Sequence, residues 1–200
     1  MPPKTRITRE DLILAATEIV RRSGAGTLTA RTVAAELGCS TQPVFSNFAS
    51  MDELRQAVAD HARSLYREYI RHETGLGLYP PYKAGGMAYI RFAGEEKELF
   101  KLMFMRDRSR EAVSGEDPDW GPMRSLIQQN TGFTREEADL LHLEMWAFVH
   151  GIAVISASGF LKLDRDLISR MLSDAYLGIK KRFEEEKNGR DTNSVADETL

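Results

Sequence analysis

Apolar residues recur along this 200-residue chain at spacings of three and four, and no stretch sustains the one-in-two alternation of a strand. The pattern predicts an all-α protein of about nine helices. Thr8 caps the first, with Asp11 three residues on as in a capping box, and Leu12, Ala16, Ile19 and Val20 share its inner face before Ser23-Gly24-Ala25-Gly26 ends it. Thr29 caps a short second helix that buries Val33, Ala34 and Leu37 and stops at Gly38. A third begins at Ser40 with Val44 and Phe48 four apart. A long fourth opens on Ser50-Met51-Asp52-Glu53, and its stripe runs Leu54, Val58, Ala62, Leu65, Tyr69. Further helices are predicted from Pro80 or Pro81 to about Phe92, over Glu95–Met105, over Pro118–Gln129, from the Thr134 cap to about Ser158, and over Asp164–Glu186. The polar, Gly-containing stretch Arg106–Pro118 reads as a mobile loop, and residues 187–200 as a disordered tail.

The pair of short helices around Gly38-Cys39-Ser40 fits a helix-turn-helix. Glycine allows the sharp bend, and Val33, Leu37, Val44 and Phe48 lock the helices together. The outer face is then left to Thr41, Gln42, Ser46 and Asn47, and Ser40 and Phe45 beside them are further candidate DNA contacts. Gln and Asn amides pair bidentately with adenine, and Ser or Thr meets base edges or phosphates. Thr29 and Arg31 stand at the start of the second helix, where free amides attract phosphate. Such a pattern alone recurs by chance in small helical domains. The rival reading is therefore an all-helical enzyme or small-molecule-binding protein with a chance helix-turn-helix-like segment, and it predicts no salt-dependent DNA affinity. A constitutive DNA-binding protein without an effector is a third reading.

Charge adds little. The chain carries a net −3, yet its first fifty residues hold six basic groups against four acidic ones. Cys39 is the one cysteine, so no internal disulfide forms and a cytoplasmic home is expected; in a turn with no basic neighbour it reads as a small buried group. The N-terminus lacks the apolar core of a signal peptide, and the uncharged run Met145–Leu161 is short of a bilayer span, so it reads as a buried helix. His142 and His150 lie about 12 Å apart along a helix, too far to share one ion. No metal, cofactor or catalytic constellation is expected, and the chain reads as a non-enzyme.

Two long stretches resemble the TetR (tetracycline-repressor) family of transcriptional regulators. One runs Leu28-Thr29-Ala30-Arg31-Thr32-Val33-Ala34-Ala35-Glu36-Leu37 and on from Gly38-Cys39-Ser40-Thr41-Gln42-Pro43-Val44-Phe45-Ser46-Asn47-Phe48 to Leu54. The other comprises Ala88–Ala93, Leu99–Phe104 and Trp146-Ala147-Phe148-Val149-His150-Gly151, which looks like the effector domain of a subgroup marked by Trp-x-x-x-His-Gly. The resemblance implies a three-helix DNA head over residues 1–50 whose third helix enters the major groove. It implies a ligand-binding and dimerisation domain over 51–186, and release of the repressor from a palindromic operator by a small effector. Family members commonly carry Tyr and Lys where this chain has Phe45 and Met51. Phosphate anchoring is thereby moved toward Lys4, Arg6 and Arg31.

Two further sets follow. An uncharged or weakly polar aromatic or aliphatic effector is expected among Phe92, Phe104, Trp120, Met123, Met145, Trp146 and His150, with a packed core as the even alternative for Phe104, Trp120, Met123 and Trp146. A homodimer is expected through a four-helix bundle of the last two helices. Ala147, Gly151 and Ser158 supply a small-residue stripe, and Ile168, Leu172, Ala175 and Ile179 the apolar face of the last helix.

Overall fold

The computed structural model describes the backbone of residues 7–105 and 120–197, with side chains up to Asn188. Among these residues there are nine α-helices and no strand: α1 (Arg9–Ser23), α2 (Ala30–Glu36), α3 (Gln42–Asn47), α4 (Met51–Gly75), α5 (Pro81–Glu95), α6 (Lys97–Phe104), α7 (Trp120–Thr131), α8 (Arg135–Ser158) and α9 (Arg165–Asp197). The expected loop Arg106–Pro118, together with Lys4 and Arg6, lies outside the described residues.

Three helix starts follow one chemical device. Thr8 and Asp11, Thr29 and Thr32, and Thr134 and Glu137 each form a reciprocal capping box, in which two otherwise orphaned amides find side-chain acceptors. At α4 the device is shifted by one residue. Ser50 Oγ accepts from Glu53 N at 3.1 Å, but the Glu53 carboxylate reaches back to Ala49 N at 2.7 Å. Together with the Arg9 guanidinium, that amide holds the Glu53 carboxyl below the usual carboxylate range.

The chain divides into two compact units, and the divisions fall inside α4, after Arg71, and inside α5, after Ile90. The first unit holds α1–α3, most of α4, the end of α5 and α6. Its core is built from Leu12, Ala16, Val20, Val33, Val44, Phe48, Leu54, Val58 and Ala62, all essentially removed from solvent. Helix α6 binds to α1 through Arg21, whose Nε donates to Glu96 at 2.8 Å. The compact unit that carries the helix-turn-helix thus runs past residue 50 and includes most of α4 and α6.

The second unit holds the end of α4, most of α5, and α7–α9. Ala138, Leu141, Met145, Val149, Ile152, Ala153 and Ala157 form the inner face of α8. This 24-residue helix is apolar enough, by length and composition, to cross a membrane, with a mean hydropathy of 1.5 over its best window. Its buried face accounts for part of that apolarity, as in the core helix of a globular domain. Glu73, near the end of α4, is fully buried, and Arg165 at the start of α9 donates to both its oxygens at 3.2 and 2.8 Å. The backbone of α9 continues to Asp197, past Lys187 where the polar sequence had suggested an end. The pairs Lys180–Glu184, Lys181–Glu185 and Arg182–Glu186, each four residues apart, support the helix up to that point.

Candidate functional site: a helix-turn-helix face and an aromatic–histidine ladder

In the first unit, α2 ends at Glu36 and the chain turns at Gly38, whose φ of 62° is a left-handed conformation that glycine adopts without steric cost. The amide of Cys39 closes the turn on Ala34 O at 2.9 Å. Thr41 and Pro43 then start α3. Pro43 sits where a missing amide hydrogen breaks no helical bond. Val33, Val44 and Phe48 are buried, and the Arg9 guanidinium lies 4.5 Å over the Phe48 ring. Leu37, expected to lock the two helices, is only half-buried, and Cys39 is also half-buried, its thiol donating to Ser40 O at 3.2 Å.

The outward residues differ in what they have to offer. Gln42, Phe45 and Ser46 are exposed, and Thr41 is half-exposed. Ser40 is exposed in the turn. Asn47 departs from expectation, because its Nδ2 donates to Pro43 O at 2.8 Å in a half-buried setting. One of its amide protons is thus already committed to its own helix, and a bidentate grip on adenine would require that bond to break. Thr29 caps α2 by accepting from Thr32 N at 3.1 Å. Arg31 is exposed and, among the described residues, joins no ion pair, whereas Arg9, Arg22 and Arg55 of the same unit pair with Glu53, Glu36 and Asp52. The local excess of positive charge is therefore presented by Arg31.

The expected effector residues are divided between the units. Phe92 and Phe104 belong to the first, where Phe92 packs against Tyr66 and Tyr69 at centroid distances of 5.5 and 5.4 Å, and Phe104 against Tyr66 at 6.2 Å. Trp120, Met123, Met145, Trp146 and His150 belong to the second. Within it, Met145 points into the core, while Trp146 stands at the surface, stacked at 5.0 Å and 15° on His150. The two neighbours therefore do not line one pocket wall. Met123 packs on α5, where a Cβ on Gly85 would meet its Cε at 3.5 Å.

What the structure does assemble is a ladder between α5 and α8 that sequence reasoning missed. Tyr82 Oη lies 3.0 Å from His142 Nδ1, and Tyr89 Oη lies 2.9 Å from His150 Nδ1. Burial pushes the Tyr82 phenol above its ordinary range and the His150 imidazole below its own. At neutral pH the Tyr82 phenol stays protonated and His150 stays neutral, and the imidazole tautomer sets which group donates in each Tyr–His bond. Trp120 meets His142 edge-on at 4.4 Å, and its indole Nε1 donates to Asp139 at 2.9 Å. Arg124 also bonds Asp139; burial pushes that carboxyl up, but the Arg124 and Trp120 bonds outweigh it and hold the group low. The signal was present in the sequence: Tyr82 and Tyr89 lie two turns apart on one helix, as do His142 and His150 on the other. Among the described residues, no three metal-ligating side chains converge.

The dimer set is redistributed as well. Ile168 and Leu172 are buried inside the single chain, where the Leu172 Cδ1 would lie 3.2 Å from a Cβ on Gly86. They fill the core and cannot form an outer face. Ala175 and Ile179 are half-buried. Ala147, Gly151 and Ser158 are exposed on α8, beside exposed Leu140, Leu143 and Phe148, and the exposed apolar residue of α9 is Leu177.

Residues 82–175 match the family model described as Tetracyclin repressor-like, C-terminal domain. Solved structures agree over most of the chain. A TetR-like transcriptional regulator from Rhodococcus sp. RHA1 superposes with a TM-score of 0.64 at 16% identity, covering 86% of this chain and 97% of its own. The multidrug binding protein EbrR, solved with imidazole, superposes with a TM-score of 0.55 at 18% identity, covering 84% of this chain and 88% of its own. The chain has a TetR-like fold. No curated protein matches its sequence.

Proposed function

We propose that this protein is a DNA-binding transcription regulator, a repressor that a small molecule releases from its operator. The observation that carries the proposal is the face of α3. Its apolar residues Val44 and Phe48 are spent on locking the turn, and Gln42, Phe45 and Ser46 are left facing outward. Among the described residues Arg31, on the preceding helix, joins no ion pair, which leaves its guanidinium open to a phosphate. The similarity of residues 82–175 to a repressor C-terminal domain supplies the regulatory half of the reading.

The effector is a flat, weakly polar molecule bound in the second unit near the Tyr82–His142 and Tyr89–His150 ladder, with Trp120 and Met123 beside it. Aromatic faces supply apolar contact, and hydrogen-bonding groups fix orientation. EbrR, a structural neighbour, is described as a multidrug binding protein, which accords with an effector of this kind. The protein acts as a homodimer paired through the exposed face of α8 and Leu177 of α9, and so reads a roughly palindromic site.

The deciding experiment is binding to duplex fragments selected from a random pool by the purified full chain, followed by fluorescence anisotropy. Affinity for the enriched sequence should fall by about three orders of magnitude between 50 and 200 mM salt, as for roughly six neutralised phosphates. An all-helical enzyme or binding protein with a chance turn would enrich no sequence and show no such slope.

A further inference from the structure

The α3 residue that departs most from an ordinary polar reading face is Phe45. It is 58% exposed, although the neighbouring apolar residues Val44 and Phe48 are both essentially buried. With more than half its surface exposed it is not part of the buried lock between α2 and α3, and it stands within one turn of Gln42 and Ser46, three residues after the first and one before the second. Among the described residues, no hydrogen bond engages the Gln42 side chain. Asn47, the other amide on the helix, is turned back on Pro43.

A benzyl group donates no hydrogen bond, so Phe45 cannot hold a phosphate or read a polar base edge. The major groove offers one apolar feature, the C5-methyl group of thymine, and an aromatic ring packs on it favourably. An adenine–thymine pair shows both the adenine N6/N7 edge, which a glutamine amide grips bidentately, and that methyl, in the same groove. On one turn of helix, Gln42 and Phe45 match these two features in kind.

We infer that Phe45 is a specificity-determining residue that packs on a thymine methyl group in the operator, next to an adenine held by Gln42. The inference rests on the DNA-binding reading above and deepens it. It makes A·T pairs at this step of each half-site preferred, for an apolar and not an electrostatic reason. Burying one methyl group corresponds to about a fourfold change in affinity.

The test replaces each thymine of the selected operator, one at a time, by deoxyuridine, which removes the methyl and leaves every hydrogen-bonding group in place. Wild type should lose about fourfold in affinity at one thymine per half-site and little elsewhere. Phe45→Ala should bind the parent operator more weakly and be indifferent to that same replacement, while Phe45→Leu should keep part of the sensitivity. Far-ultraviolet circular dichroism melts should leave both variants unchanged, since the side chain lies outside the core. An enriched operator whose deoxyuridine forms all bind as the parent overturns the inference alone, as does a loss of equal size in wild type and Phe45→Ala. A pool that enriches no sequence overturns the DNA-binding reading, and the inference falls with it.

Discussion

At the scale of single residues, the most exacting electrostatic arrangement is the ion pair of Glu73 and Arg165. A carboxylate with no solvent contact is costly unless a cation and directed hydrogen bonds replace its water, and Arg165 supplies two such bonds. Tyr79 backs the guanidinium at 5.4 Å. Removing one partner of a buried pair leaves the other short of its counter-charge, which costs about 3–5 kcal/mol when both are buried. Here Arg165 keeps a partly exposed side chain, so Arg165→Met should cost about 2–3 kcal/mol in urea denaturation, with part recovered by adding Glu73→Gln. A variant within about 0.5 kcal/mol of wild type would show that water replaces the guanidinium without loss. Neither residue stood out in the sequence, because the pair is separated by ninety-two positions and each looks like an ordinary surface charge.

At the scale of elements, helix starts were far more legible than helix faces. Thr8, Thr29 and Thr134 announced α1, α2 and α8 because a cap is a local transaction between residues three apart. The faces of α9 were not legible, since a stripe of Ile168, Leu172, Ala175 and Ile179 has the same spacing whether it meets its own chain or another. The chain's own core takes the first two. Mid-helix glycines of the second unit can be told apart by their surroundings. A Cβ on Gly86 of α5 would press on Leu172 and Val149, at 3.2 and 3.5 Å, whereas a Cβ on Gly151 would meet nothing within 4 Å. Mid-helix glycine costs about 1 kcal/mol relative to alanine, and among the described residues nothing requires it at 151. Gly151→Leu should therefore leave the helical content and the fold of the protomer intact and shift the protein from dimer to monomer in light scattering. An unchanged dimer would take Gly151 out of the interface.

At the scale of the whole molecule, the sequence suggested a helix-turn-helix unit and a second helical region but not where one ends. Residue 50 is a clear chemical boundary, the cap of α4, yet compactness is decided by packing, and α6 returns to α1 through Glu96 and Arg21 from seventy-five residues away. The effector set was legible as a composition, rich in aromatic and methionine side chains, and illegible as a place. Phe92 and Phe104 fall in one unit and the other five residues in the second. Regulation of the proposed kind couples two binding events, and the coupling is reciprocal by thermodynamic necessity. An effector that prefers the released state by about 3 kcal/mol weakens operator binding more than a hundredfold. Saturating operator should then weaken effector binding by the same factor in calorimetry with and without DNA. Equal effector affinities in the two titrations would mean that the ligand does not regulate.

The separation of α3 into an inward lock and an outward face has an evolutionary consequence. Val44 and Phe48 carry the fold, so Gln42, Phe45 and Ser46 are free to vary at a stability cost typical of surface positions, about 0.5 kcal/mol or less. Under the proposed DNA-binding reading, a duplicated copy of the gene acquires a new operator through one or two substitutions without passing through an unfolded intermediate. For the same reason the helix is a natural place to engineer mutually insulated switches: a library randomised at those three positions should yield many folded proteins and many DNA preferences, while the same library at Val44 and Phe48 should yield few of either.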